Sequence, residues 1–186
     1  LTLEPMSNEG LRLLGRARYQ LGQVDEAIGA YHRALALDDH DVWSMNNLGL
    51  IYIDQDRSGE ALGPLARAVE LRSNAPVFQN NLGMALERSG HPAAAAKAYE
   101  TAVGLDSTYR KASASLARIT AVTQEPDSAS VDLAVLAQQF QSEIDGWRGS
   151  VEPGDSTSKV GIVGLSDSSL ASVEAVTDTT EDCEQE

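Results

Sequence analysis

The tetrapeptide Asn-Asn-Leu-Gly occurs twice, at residues 46–49 and 80–83, an interval of 34 residues. Sliding the whole chain by that interval aligns Leu14-Gly15 with Leu48-Gly49 and Leu82-Gly83, Ala27 with Ala61 and Ala95, and Ala34 with Ala68 and Ala102. Leu37, Leu71 and Leu105 form a further column, and Tyr31, Leu65 and Tyr99 a bulky one. A unit this short cannot bury its own apolar face, so units with a fixed period must stack in file and share one core. Within each unit the apolar and small residues stand three and four apart, which is helical spacing, and turn residues break the pattern twice. Each unit is therefore expected to be a helical hairpin, and the fold class all-α.

The columns have a packing reason. Two antiparallel helices approach closely only where side chains are small, and bulky residues at i, i+3 and i+4 fill what remains. Gly15, Gly49 and Gly83 are read as such contact points, because a helical Gly costs about 0.5–1 kcal/mol against Ala and must be repaid by packing. Gly22 and Gly90 are placed to close first helices, Ser58 to cap a second helix, and Pro76 and Pro92 to occupy first turns. Pro64, beside Gly63, falls inside a second helix and is read as a tolerated kink.

These columns resemble the tetratricopeptide repeat, an apolar residue followed by x2-Leu-Gly-x2-Tyr and then Ala-x3-aromatic. Residues 8–41 read Leu11-x2-Leu14-Gly15 and Ala27-x3-Tyr31; residues 42–75 read Met45-x2-Leu48-Gly49-x2-Tyr52 and Ala61-x3-Leu65; residues 76–109 read Gln79-x2-Leu82-Gly83 and Ala95-x3-Tyr99. No unit has Trp at the first apolar column and none keeps the late Pro. The resemblance implies a right-handed superhelical solenoid of hairpins that binds other proteins. High Arg over Lys suits a bacterial member of the family.

Flanking segments are assigned from register and composition. Residues 1–7 fit as the tail of a preceding unit, with Leu3 in the Leu37 column and Pro5 in the late Pro column, so a further unit upstream is expected. Residues 107–122 repeat only a first helix and mix Arg110, Lys111 and Arg118 into its faces, as a capping helix would. A linker at 123–130 precedes an amphipathic helix at 131–148, whose Leu133, Leu136, Phe140, Ile144 and Trp147 make one stripe that wants a partner surface. That helix packs on the cap, lies in the concave groove as an internal ligand, or swaps into a neighbouring chain.

Charge divides the chain. Residues 1–122 hold 12 Lys plus Arg and 14 Asp plus Glu, whereas residues 123–186 hold 2 and 14, so nearly all of the net −14 lies outside the repeats. From Gly149 on, the Ser-, Thr- and acid-rich composition buries too little apolar surface to offset chain entropy, and residues 149–186 are expected to be a disordered acidic tail. The run Lys159 to Leu165 suits a brief strand but has no evident partner. The acidic balance argues against nucleic acid and anionic membranes.

The resemblance assigns ligand binding to the concave face, lined by set positions of the first helices. These are Glu9, Arg12, Arg16, Tyr19 and Gln20 in the first unit, and Trp43, Asn46, Leu50, Ile53 and Asp54 in the second. The third unit supplies Val77, Asn80, Met84, Glu87 and Arg88, and the cap supplies Lys111, Ala114 and Arg118. The face carries a net +2, which favours an extended or helical segment with acidic groups, its apolar anchors meeting Trp43, Leu50, Ile53 and Met84. Arg12 and Arg16 with Asn47 and Asn81 loosely resemble the sets with which some relatives grip a carboxyl terminus, although such Asn residues also serve between helices. Trp43 is read as half-buried against the preceding unit or as an anchor. The acidic region beyond Thr123 is expected to shield this basic face until a partner displaces it.

Chemistry of its own finds no support. His32, His40 and His91 are scattered without ligand spacing, no phosphate-binding glycine loop occurs, and no cofactor or metal is expected. Cys183 is the single cysteine, which leaves the compartment open, and no apolar run of 18 residues spans a membrane. The expected function is a non-catalytic protein-interaction scaffold holding a peptide or helix. A repeat segment of a larger enzyme or regulator, and an accessory factor for a pilus or secretion system, remain as alternatives.

Overall fold

In a computed structural model of the chain, residues 7–122 and 130–150 are described and form eight helices. First helices are α1 (Asn8–Gln20), α3 (Val42–Asp54), α5 (Pro76–Arg88) and α7 (Arg110–Val122). Second helices are α2 (Val24–Leu37), α4 (Ser58–Leu71) and α6 (Pro92–Leu105), and α8 (Leu133–Ser150) follows. Of the segments read as a repeat tail (1–7), a linker (123–130) and a disordered tail (149–186), residues 1–6, 123–129 and 151–186 lie outside the described residues, whereas Gly149 and Ser150 continue α8.

The glycine column holds the hairpins together. A Cβ at Gly15 would stand 2.9 Å from the Tyr31 ring, at Gly49 2.5 Å from Leu65, and at Gly83 2.6 Å from the Tyr99 ring. The two repeating columns therefore meet each other, small residue on the first helix against bulky residue on the second, three times over. Tyr31, Leu35, Met45, Leu48, Leu65, Phe78, Leu82 and Tyr99 are all buried. Burial runs continuously from one unit to the next.

Helix ends follow the residues available. First helices end in a left-handed residue at one column, Gly22 (φ +75°), Asp56 (φ +57°) and Gly90 (φ +83°). The paired backbone bonds of a Schellman turn close each, such as Gln23 N–H to Arg18 C=O at 2.9 Å and Arg57 N–H to Tyr52 C=O at 2.8 Å. Asp41 caps α3 by accepting from Trp43 N–H and Ser44 N–H, and Pro76 and Pro92 stand in first turns. Ser58 does not cap: it is the first helical residue of α4, preceded by Arg57, and no side chain bonds the open N–H groups there.

Successive first helices touch one another, α1 on α3, α3 on α5 and α5 on α7, whereas successive second helices do not. The array therefore bends with its first helices on the inside. This curvature leaves α1, α3, α5 and α7 lining a concave face and α2, α4 and α6 an outer one.

The stripe of α8 is placed differently from each expectation for it. Its backbone runs against α4 and α2 on the outer face and approaches neither α7 nor any first helix. The reason lies in α4, where Gly59 and Pro64 stand in place of the Asp25 and Ala30 of α2 and the Ala93 and Ala98 of α6, around a Gly63 that α2 shares as Gly29 and α6 replaces with Lys97. At Gly63 the α8 chain passes so close that an added Cβ would stand 3.3 Å from Phe140 Cβ and 3.6 Å from the Leu136 carbonyl. Pro64 is buried there. The pair read as a tolerated kink is thus the seat of α8, on which Ala137, Phe140 and Ile144 are buried.

Candidate functional site

Of the residues assigned to the concave face, several are already engaged. Arg12 donates from its Nη1 to both oxygens of the buried Asp41 carboxylate, each at 3.1 Å, and so ties α1 to the cap of α3. Asn81 donates to Asn46 at 2.8 Å and Asn80 to Asn81 at 3.2 Å, a chain of buried amides joining α3 to α5. Arg88 donates to the Ile53 carbonyl at 3.1 Å, Ile53 itself is buried, and Trp43 is half-exposed with its ring edge-on to Phe78.

At the far end Arg118 of the cap forks onto Glu87, which also accepts from the Tyr99 hydroxyl at 2.9 Å. Hydrogen bonding from Arg118, against some burial, holds the Glu87 carboxyl below its ordinary range. Burial and then the Glu87 bond push Tyr99 up. Tyr19 donates to Asp54, and chiefly that bond raises its pKa to about 12. These phenols are fixed as neutral donors, not as acids or bases at neutral pH.

What stays open is concentrated between α1 and α3. A cavity of about 310 Å³ is lined by Arg16, Tyr19, Gln20, Tyr31, Asn47, Leu50 and Ile51. Among the described residues Arg16 has no carboxylate within ion-pair distance, in contrast to Arg12 and Arg118. Tyr31 and Ile51 form the buried floor, and Leu50 and Tyr19 are half-buried. Met84 is half-buried and Lys111 exposed further along the face. An apolar floor with one unneutralised guanidinium and an amide at its rim suits a short segment carrying an acidic group beside an apolar one.

The family resemblance assigned these residues to one face but could not separate those bonded to other helices from those left open. Asp41 was the missing signal: it sits three residues before Ser44 at a helix start, so an Arg on the preceding first helix has a preformed acceptor. Asp38, Asp39 and His40 bring potential ligand atoms within 4.8 Å of one another. Asp39 is already bonded by Arg148 and Gln141, and Asp38 by Asn8, so this group works as a joint between helices.

Models of the tetratricopeptide repeat match residues 42–75 and 80–137, and a model of the TPR repeat matches residues 15–56. Human tetratricopeptide repeat protein 7B is 36% identical over 106 residues, 57% of this chain and 13% of that protein. The chain thus spans a small part of the curated relative that it matches. The first TPR of Spaghetti (RPAP3), bound to an HSP90 peptide SRMEEVD, superposes with a TM-score of 0.60 at 21% identity, over 65% of this chain and 96% of that one. The Yersinia enterocolitica type III secretion chaperone SycD, in complex with a peptide of the translocator YopD, gives 0.57 at 20% identity, over 61% and 92%. With the repeat models spanning most of the eight helices, this chain belongs to the tetratricopeptide-repeat family.

Proposed function

We propose that this array is a non-catalytic interaction scaffold that holds a peptide or helix of a partner protein along the concave face of α1, α3, α5 and α7. The carrying observation is the cavity between α1 and α3, where Arg16 stands unneutralised over an apolar floor. A ligand segment enters with an acidic group against Arg16 and Asn47 and an apolar side chain against Leu50. Met84 and Lys111 extend the contact. Arg12, Arg88, Arg118, Tyr19, Asn46, Asn80 and Asn81 shape the face from behind through bonds within and between units. The two solved neighbours carry peptides in complexes of the same fold, which supports the reading without naming a ligand.

The test is fluorescence anisotropy of the full chain with labelled peptides that vary acidic and apolar positions independently. Peptides carrying both groups bind, and Arg16→Glu and Leu50→Glu each weaken binding by about tenfold, equivalent to about 1.4 kcal/mol. Absence of any bound peptide, or retention of affinity in both variants, overturns the reading.

A further inference from the structure

On the outer face, away from the groove, α8 is fastened at two places. Its first half rests on the Gly63 seat. Its second half reaches α2, where the Trp147 indole stacks on the His32 imidazole with centroids 3.9 Å apart and planes at 17°. Arg148 donates to the Ala36 carbonyl at 3.2 Å and pairs with Asp39 at 3.2 Å, and Gln141 donates to Asp39 at 3.2 Å. The Nε2 of His32 is buried and has no hydrogen-bond partner. A neutral imidazole tolerates that position; an imidazolium there carries a proton with no acceptor.

We infer that α8 is an acid-released strap on the outer face of the array, with proton uptake by His32 breaking its stack with Trp147 and lifting α8 off α2 and α4 while the hairpins stay folded. Charged groups on the surrounding elements are Glu143, Asp145 and Arg148 on α8, Asp25, Glu26 and Arg33 on α2, and Asp38, Asp39 and His40 in the following turn. On α4 they are Glu60, Arg67 and Glu70. Among the described residues, none pairs with His32 or bonds to it. Burial alone accounts for the lowering of the His32 pKa from 6.5 to about 4.

The sign follows from linkage. The undocked state takes up a proton near pH 6.5 and the docked state only near pH 4, so docking is fully favoured above that window and weakens as pH falls through it. Between pH 7 and pH 5 the docking equilibrium drops by about 20-fold. Two effects oppose this. Burial and then Glu60 raise the pKa of Glu143, so its protonation in acid favours docking. The Trp147 face attracts an imidazolium by a cation–π contact but offers it no acceptor. Burial pushes the Asp39 carboxyl up, but Arg148 and His40 together hold it below its ordinary range; because Arg148 belongs to α8, protonation of Asp39 also favours release, at a pH below that interval.

Hydrogen exchange of the full chain at pH 7 and pH 5, corrected for intrinsic rates, reads docking directly. Amides of residues 133–148 lose protection at pH 5, by at most about 20-fold, while those of α1 to α6 keep theirs. His32→Phe keeps an aromatic partner for Trp147 without a proton, and its α8 protection is not lost at pH 5. Glu143→Gln removes one opposing contribution and enlarges the wild-type loss. Unchanged or increased α8 protection at pH 5, or an equal acid loss in His32→Phe, overturns the inference. An NMR titration of the His32 ring in the unsubstituted chain serves if that variant does not fold: a midpoint near 4 agrees, and one at or above 6.5 overturns it.

Discussion

At the residue scale the column that ends the first helices offers a direct comparison. Gly22 and Gly90 take a left-handed backbone at no steric cost, and Asp56 takes the same backbone with a Cβ. A left-handed non-Gly residue costs about 1–2 kcal/mol, and Gly returns part of that through the freer unfolded chain. Asp56→Gly is therefore expected to stabilise the protein by about 0.5–1 kcal/mol, a rise in Tm of roughly 2–4 °C, measurable by thermal unfolding. The weak contact of Asp56 with Arg88, 4.0 Å between largely exposed groups, takes little from this. Gly83 works in the opposite sense. Its hypothetical Cβ falls 2.6 Å from the Tyr99 ring, and that ring is pinned through its hydroxyl to Glu87. Gly83→Ala is expected to cost about 1–3 kcal/mol despite the better helix propensity of Ala, which urea unfolding would show. Both roles were legible in the columns, since Gly recurs where the backbone or the neighbouring ring demands it. Asp56 was not, because one letter outside a Gly column carries no sign of its φ.

At the element scale the hairpins were fully legible and the position of α8 was not. The hairpins repeat, so each contact is stated three times. The stripe Leu136, Phe140, Ile144 and Trp147 occurs once, and an amphipathic face says only that it needs cover. The information about where it docks sits some 75 residues earlier, in Gly59, Gly63 and Pro64, residues that by themselves signal a weakened helix. They act as a shallow trough that lets one helix backbone approach another. Filling the trough should detach α8 selectively. Gly63→Leu places a branched side chain where Phe140 Cβ and the Leu136 carbonyl leave under 4 Å. The expected outcome is loss of hydrogen-exchange protection over residues 133–148 with the far-UV helix signal of the repeats retained. A variant that keeps α8 protected would show that the seat is not what positions it.

At the scale of the whole molecule, the proposed binding face and the face that seats α8 lie on opposite sides of the array. Curvature toward the first helices puts Arg16, Leu50 and Lys111 inside, and α8 occupies the outside, so the helical part of the acidic region does not cover the groove. The shielding expected of the acidic region is therefore tested through its charge. Residues 131–186 carry 12 Asp plus Glu against 2 Lys plus Arg, and residues 151–186 alone carry 9 against 1. Two truncations separate contact from charge. Ending the chain at Ser150 keeps α8 and removes most of the acidity. Ending it at Ser130 removes α8 as well, uncovering the seat of Phe140 and Ile144, each of which contributes about 1.5–3 kcal/mol by burial. Both truncations are expected to raise groove affinity for an acidic peptide at low salt, to a similar extent. The gain should vanish near 0.15 M salt, where the screening length is about 8 Å. Only the shorter chain should lose thermal stability. A further gain in affinity on removing α8, persisting in high salt, would mean that α8 reaches the groove after all, and the division between an inner binding face and an outer strapped face would fail.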